Sequence, residues 1–227
     1  MERLVSASGI LTDFKLTNFK CHKETPDVEI APITLLVGPN SSGKTALLQP
    51  LLILKQTLEP RAPLVTPLIL DGSYVSLGTF ADILYNHDTQ NSLEVKLGID
   101  IPLRSLMLPS KIREYFGERK LNKLRVSYSI RIDYSEKEKR MILSEAIFSS
   151  EVFNFHYFPM KKILEGTVFG QKLGKMKAHP LREQNLKSLM NTLPILIRSS
   201  LLKEETHLKP VEWQTYYFTR KVMESLL

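Results

Sequence analysis

The 227-residue chain contains a single cysteine, Cys21, so it has no internal disulfide framework and no multi-cysteine zinc site. A lone thiol beside His22, with no other histidine to activate it, reads as inert rather than nucleophilic, and it fits a reducing, cytoplasmic setting. Long apolar runs are also missing. The nearest, ALLQPLLIL, is interrupted by Gln49 and Pro50 and falls well short of the roughly 20 residues a membrane helix needs. The N-terminal MERLVSASGILTDFK has no continuous apolar core of secretory type, and no membrane association is expected. Aspartate is scarce in the second half: the last one is Asp133, and no Asp-Glu dipeptide occurs anywhere. Metal-ligand clusters, nucleophile triads, internal repeats and low-complexity segments are absent as well.

What remains is an ordinary folded composition, 43% hydrophobic and 24% charged, long enough for one large domain or two small ones. The net charge of +7 is uneven. Residues 1–100 carry 8 Lys+Arg against 11 Asp+Glu, whereas residues 101–227 carry 23 against 13. A basic second half suggests an acidic partner, nucleic acid first among them. Its charges are dispersed rather than blocked, however, which favours solvated helix and hairpin faces. The basic-aromatic stretch KIREYFGERKLNKLR reads the same two ways.

The most informative stretch is ITLLVGPNSSGKTALLQPLLILKQ, residues 33–56. Ile33 to Val37 is a short apolar run expected to be a strand buried on both faces. Gly38-Pro39-Asn40-Ser41-Ser42-Gly43-Lys44-Thr45 matches G-x-x-x-x-G-K-[ST], and an apolar helical pattern follows. The spacing has a chemical reason. Gly38 and Gly43 permit backbone angles that let successive N–H groups turn around a phosphate. A helix starting near Lys44 adds its partial positive charge. Lys44 would reach the β- and γ-phosphates, and the Thr45 hydroxyl would ligate Mg²⁺. The expected nucleotide-binding set is Gly38, Asn40, Ser41, Ser42, Gly43, Lys44, Thr45 and Ala46, with Thr45 the metal ligand and ATP and Mg²⁺ the cofactors. Pro50 is an oddity within this helix, since it removes an N–H bond to residue 46 at a cost of about 3 kcal/mol in a regular helix.

Downstream, residues 92–101 read as a strand. In LRVSYSIRIDY, Val126, Tyr128, Ile130, Ile132 and Tyr134 share one face. SEKEK makes a hairpin tip, RMILSEAIFSS returns, and EVFNFHYF adds a further strand. Between the helix and this meander, RAPLVTPLILDGSYVSLG reads as extended surface chain with one short strand. From about 160 the pattern reads as an exposed, basic, irregular connection. Helical spacing follows at Leu186, Leu189, Met190 and Leu193, and WQTYYFTRKVMESLL suggests a last helix. The expected division is therefore residues 1–160, an ATP-binding lobe, and residues 161–227, a basic connection and helical region.

Over roughly residues 10–160 the chain resembles the opening of ABC-type ATPase heads, the group that includes structural-maintenance-of-chromosomes, RecF-like and OLD-type proteins. The resemblance rests on LTDFKLTNFKCHKETPDVEIAPITLLVGPN, on SSGKT with LLQ-LLILKQTLE, and on LILDGSYVSLGTFADILYNHD. It is closest to a prokaryotic group of such heads described as "AAA domain" ATPases. It implies an α/β P-loop NTPase fold: a mixed sheet around the phosphate-loop helix, an antiparallel meander, and then a helical part. It also implies ATP-Mg²⁺ binding and ATP-dependent head association. Hydrolysis in such heads uses a Walker B aspartate followed by a glutamate, and an LSGG-like signature from a partner head. This chain shows neither, so no catalytic residue is assigned. Asp71, after Leu68-Ile69-Leu70, is the best imitation of the Walker B acid; Asp100 and Asp133 are weaker. Gln171 or Gln90 could stand for the glutamine that senses Mg²⁺, and His87 could face the phosphates. For all three, an ordinary surface or turn role competes.

The expectation is an incomplete head, a truncated product or split-gene half, that hydrolyses ATP only with the missing signature and Walker B half; self-association or a partner ATPase half is the expected partner. The alternative is a nucleotide-responsive module that regulates a nucleic-acid or protein partner without turnover. A small-molecule kinase using Asp71 fits the meander poorly.

Overall fold

The computed structural model describes residues 9–59, 66–103, 114, 117–161, 163–168 and 170–177. Strand β1 (Ile10–Phe19) opens the chain and turns back through β2 (His22–Glu24) and the two-residue β3 (Val28–Glu29), both antiparallel to it. Helix α1 (Lys44–Leu58) follows the glycine loop, and the four-residue α2 (Phe80–Ile83) leads into a 3₁₀ turn at Tyr85–His87. An antiparallel meander then runs through β4 (Leu93–Pro102), β5 (Lys123–Ser135), β6 (Arg140–Ser149), β7 (Phe153–Phe158), β8 (Ile163–Val168) and β9 (Gln171–Lys177). The sheet order is β2-β1-β4-β5-β6-β7-β8-β9, with β3 beside β1.

Alternation of side chains decides which face is buried. Along β5, Leu124, Val126, Tyr128, Ile130 and Ile132 point into the core, while Arg131 stays exposed. β4 contributes Leu93, Val95, Leu97 and Ile99 in register with them. Phe14, Leu16, Phe148 and Phe155 extend the same apolar face, and Ile53, Leu54 and Leu58 of α1 belong to this single cluster. Each such side chain contributes about 1.5–3 kcal/mol when fully buried. The opposite face is closed by charge pairs between strands, those of Lys123 and Arg131 spanning adjacent strands and Arg125–Asp13 reaching from β5 across β4 to β1. Lys123 meets Asp100 at 2.5 Å, Arg125 meets Asp13, and Arg131 lies between Glu94 at 2.6 Å and Glu145 at 3.4 Å. The meander expected from residues 92 to 158 is present, and Glu136–Lys139 form its charged tip.

Three expectations need correction. Ile33–Val37 is not a buried strand. It has no ladder partner among the described residues, and Ile33, Leu35 and Val37 are 82%, 80% and 89% exposed. A both-faces-apolar strand becomes buried only when strands flank it and helices cover it, and neither β1 nor the meander lies along it. Second, the stretch expected as a partly irregular connection contains strands β8 and β9, which pair antiparallel and extend the sheet. Third, residues 66–78 contain no strand, only an isolated Asp71–Ser76 bridge. Residues 178–227, which include both expected late helices, lie outside the described residues, as does part of KIREYFGERKLNKLR. The described part is thus mostly antiparallel sheet with few helices.

Candidate functional site: the phosphate loop

The eight candidate residues lie within the nine positions from Gly38 to Ala46, and the loop's shape follows from its sequence. Ser41 and Gly43 adopt left-handed backbone, φ 62° and 87°. Such residues in a short loop curl the chain so that main-chain N–H groups converge, the basis of backbone anion cradles. The Ser42 N–H makes a long bond to the Pro39 carbonyl, 3.4 Å, which closes the turn. Gly38 to Ser42 are exposed, Gly43 and Lys44 half-buried.

Gly43 is the N-cap of α1 and offers no side chain to cap it. The N–H groups of Lys44, Thr45 and Ala46 therefore open onto the loop without intrahelical partners. A 15-residue helix adds partial positive charge at that point, and its first turn contains no acid to neutralise it. The Lys44 ammonium arches back over the loop. It donates to the Gly38 carbonyl at 2.9 Å and the Pro39 carbonyl at 2.6 Å, and lies 3.4 Å from Ser42 Oγ. Free amides, a helix N-terminus and a lysine held across the mouth form a donor-only set, suited to a polyphosphate. Thr45 is exposed in the first turn, where its hydroxyl would be available to a magnesium ion held by phosphate. Among the described residues no cluster of three or more His, Cys, Asp or Glu could hold a metal by itself. The loop therefore fits a nucleotide with its own magnesium better than a protein-bound metal.

The other candidates lie elsewhere. Asp71 Oδ1 accepts from Ser76 Oγ at 2.7 Å and from the N–H groups of Leu77 and Gly78 at 3.1 and 3.2 Å. These bonds, Ser76 foremost, hold its carboxyl below the usual carboxylate range. Asp71 is thus the organiser of its own turn. Asp100 pairs with Lys123, and Asp133 sits in β5 opposite Ile142. Among the described residues no hydrogen bond or ion pair links any of the three to the phosphate loop. His87 Nδ1 lies 3.0 Å from the Ala81 carbonyl, in keeping with a turn histidine. The Gln90 N–H donates to Asp88 in a turn, and Gln171 begins β9.

Two neighbours of the loop escaped the sequence reading. The β1–β2 turn brings Cys21 and His22 against Gly43: a Cβ there would lie 2.6 Å from Cys21 Sγ and 3.1 Å from the His22 ring. His22 Nε2 is 3.3 Å from the Gly43 carbonyl oxygen. The contact spans 21 residues and has no motif; its only trace is the short NFKCH turn ahead of the loop.

No curated protein matches the chain. The family profile described as "AAA ATPase domain" matches residues 10–217, nearly the whole chain. No helix among the described residues is long and apolar enough to cross a membrane. With a phosphate loop of this geometry at the head of α1, the chain belongs to the AAA ATPase domain family, a group of P-loop nucleotide-binding domains.

Proposed function

We propose that the chain binds ATP-Mg²⁺ as part of an ABC-type head of the SMC, RecF or OLD kind, and that turnover requires elements supplied by another half. The observation that carries the binding reading is the donor-only loop, Lys44 arched over an uncapped helix N-terminus. Gly43, Lys44, Thr45 and Ala46 would present their amides to the phosphates, with Asn40, Ser41 and Ser42 shaping the loop. Lys44 would neutralise the β- and γ-phosphates, and Thr45 would orient the magnesium through its hydroxyl. The bound magnesium would supply charge neutralisation across the β- and γ-oxygens.

The need for a second half is supported by Ile33–Val37. Ile33–Val37, four apolar residues and Thr34 leading straight into the loop, has no flanking strand among the described residues. The engagement of Asp71 in its own turn, and the absence of any aspartate after Asp133, point the same way. The completing half would be a separate polypeptide carrying an apolar strand that ends in acids.

A single experiment tests both parts. ATP-Mg²⁺ is titrated calorimetrically into the wild-type chain and Lys44→Ala, and phosphate release is followed on the same samples. Binding is expected to weaken at least tenfold in the variant, about 1.4 kcal/mol. Release by the wild-type chain is expected not to exceed that of the variant. Equal affinities would overturn the site; turnover well above the variant would overturn the need for a second half.

A further inference from the structure

The β1–β2 turn is fastened to the segment that runs from α2 to β4. The Asn18 side chain donates to the Asn91 carbonyl at 3.0 Å and accepts from the Tyr85 N–H at 3.2 Å. The Lys20 N–H donates to the Ile83 carbonyl at 2.8 Å. Asn18 and Lys20 both have left-handed backbone, φ 61° and 49°, which makes the reversal tight. A turn held this firmly presents the next two residues, Cys21 and His22, at a fixed height against Gly43.

The His22 contact has a defined chemistry. A carbonyl oxygen only accepts, so the Nε2 that lies 3.3 Å from it carries the ring proton. The same Gly43 oxygen accepts from the Leu47 N–H at 3.0 Å, the first hydrogen bond of α1. Two donors thus fix the direction of one carbonyl. The peptide joining Gly43 to Lys44 is planar and trans, as no cis peptide occurs among the described residues. Its N–H therefore points opposite to its carbonyl. Fixing the Gly43 oxygen toward Leu47 and His22 aims the Lys44 N–H out of the helix N-terminus, into the loop.

We propose that His22 is a positioning residue for the phosphate loop: by clamping the Gly43 carbonyl it holds the Lys44 main-chain N–H in its phosphate-binding orientation. This rests on the nucleotide reading of the loop and adds to it a residue from outside the loop motif. The absence of a Cβ at Gly43 is what lets the imidazole approach, since any side chain there would meet Cys21 and His22.

The test compares wild type, His22→Ala and His22→Gln, whose side-chain amide retains a donor. Three quantities are read: affinity for MgADP and MgATP by calorimetry, hydrogen exchange of the Leu47 amide, which donates to the clamped Gly43 oxygen, in nucleotide-free protein, and Tm. Loss of one neutral hydrogen bond predicts about fivefold weaker nucleotide binding in His22→Ala. Leu47 exchange should be faster in that variant, and His22→Gln should restore most of both. Wild-type affinity in His22→Ala would overturn the proposal. So would a folded His22→Gln that is no better than His22→Ala, because a purely space-filling role would not depend on a donor. If the wild-type chain bound no nucleotide, the loop reading itself would fail. The Leu47 amide comparison would then still decide whether His22 clamps the Gly43 carbonyl, and an unchanged exchange rate would overturn the clamp.

Discussion

Gly43 meets two demands at one position. Its φ of 87° lies in the left-handed region, and its missing Cβ makes room for Cys21 and His22. The first demand is readable from the motif, because a glycine before Lys-Thr is where the loop must turn into the helix. The second is not, because it arises from a turn 21 residues upstream. Asp71 shows the reverse. Its place after Leu68-Ile69-Leu70 imitates a metal-binding acid, yet its oxygen is spent on Ser76, Leu77 and Gly78. Those bonds lower its pKa in the folded state, so its contribution is complete above the ordinary carboxylate value and is lost as pH falls through the folded value. In thermal melts, the Tm gap between wild type and Asp71→Asn should be open at pH 7. It should narrow as pH is brought below about 4. A gap that persists in strong acid would assign the effect to something other than the charge on Asp71.

At the scale of elements, α1 holds together despite its composition. Pro50 lies inside it, yet the helix continues from Lys44 to Leu58. Pro50 is buried, so packing of its ring offsets part of the lost hydrogen bond. Further along, Gln56 is 3% exposed and binds the following segment to the helix. Its Nε2 donates to the Ile69 carbonyl at 2.6 Å, and its Oε1 accepts from Tyr74 and Val75 N–H at 3.3 and 3.2 Å. Within residues 66–78, which form neither strand nor helix, further backbone groups are met by Thr57 and Asp71, so side chains replace part of a ladder. Gly72 has no side chain because a Cβ there would lie 2.7 Å from Gln56 Oε1. Replacing Gln56 with Leu leaves those buried groups without partners and should destabilise the chain by about 1–3 kcal/mol, measured by urea unfolding. An unchanged midpoint would mean water replaces the amide at no cost.

On the scale of the whole molecule, an antiparallel sheet buries one face against α1 and α2 and closes the other with cross-strand ion pairs. Lys123, Arg125 and Arg131, part of the basic second half, are paired within the sheet, which leaves less charge for an acidic partner than composition suggests. Ile33, Leu35 and Val37 stand outside the core. If that segment packs on nothing within the chain, Leu35→Glu should shift stability by no more than about 0.5 kcal/mol, read as an unchanged Tm. It should also reduce concentration-dependent self-association in sedimentation. A marked fall in Tm would show that the segment is packed in solution.

The sequence by itself determined whatever is encoded within a few neighbouring residues. The phosphate loop is eight consecutive positions, and the alternation in β4 to β7 follows from the two-residue period of a strand. Tertiary structure decided what depends on distant partners. It placed His22 against Gly43, gave Asp71 to its own turn, and extended the meander through β8 and β9, where glycines and lysines hide the alternation. It also left Ile33–Val37 without flanking strands among the described residues. An apolar run states only that a strand can be buried; whether it is depends on neighbours that its own residues do not specify.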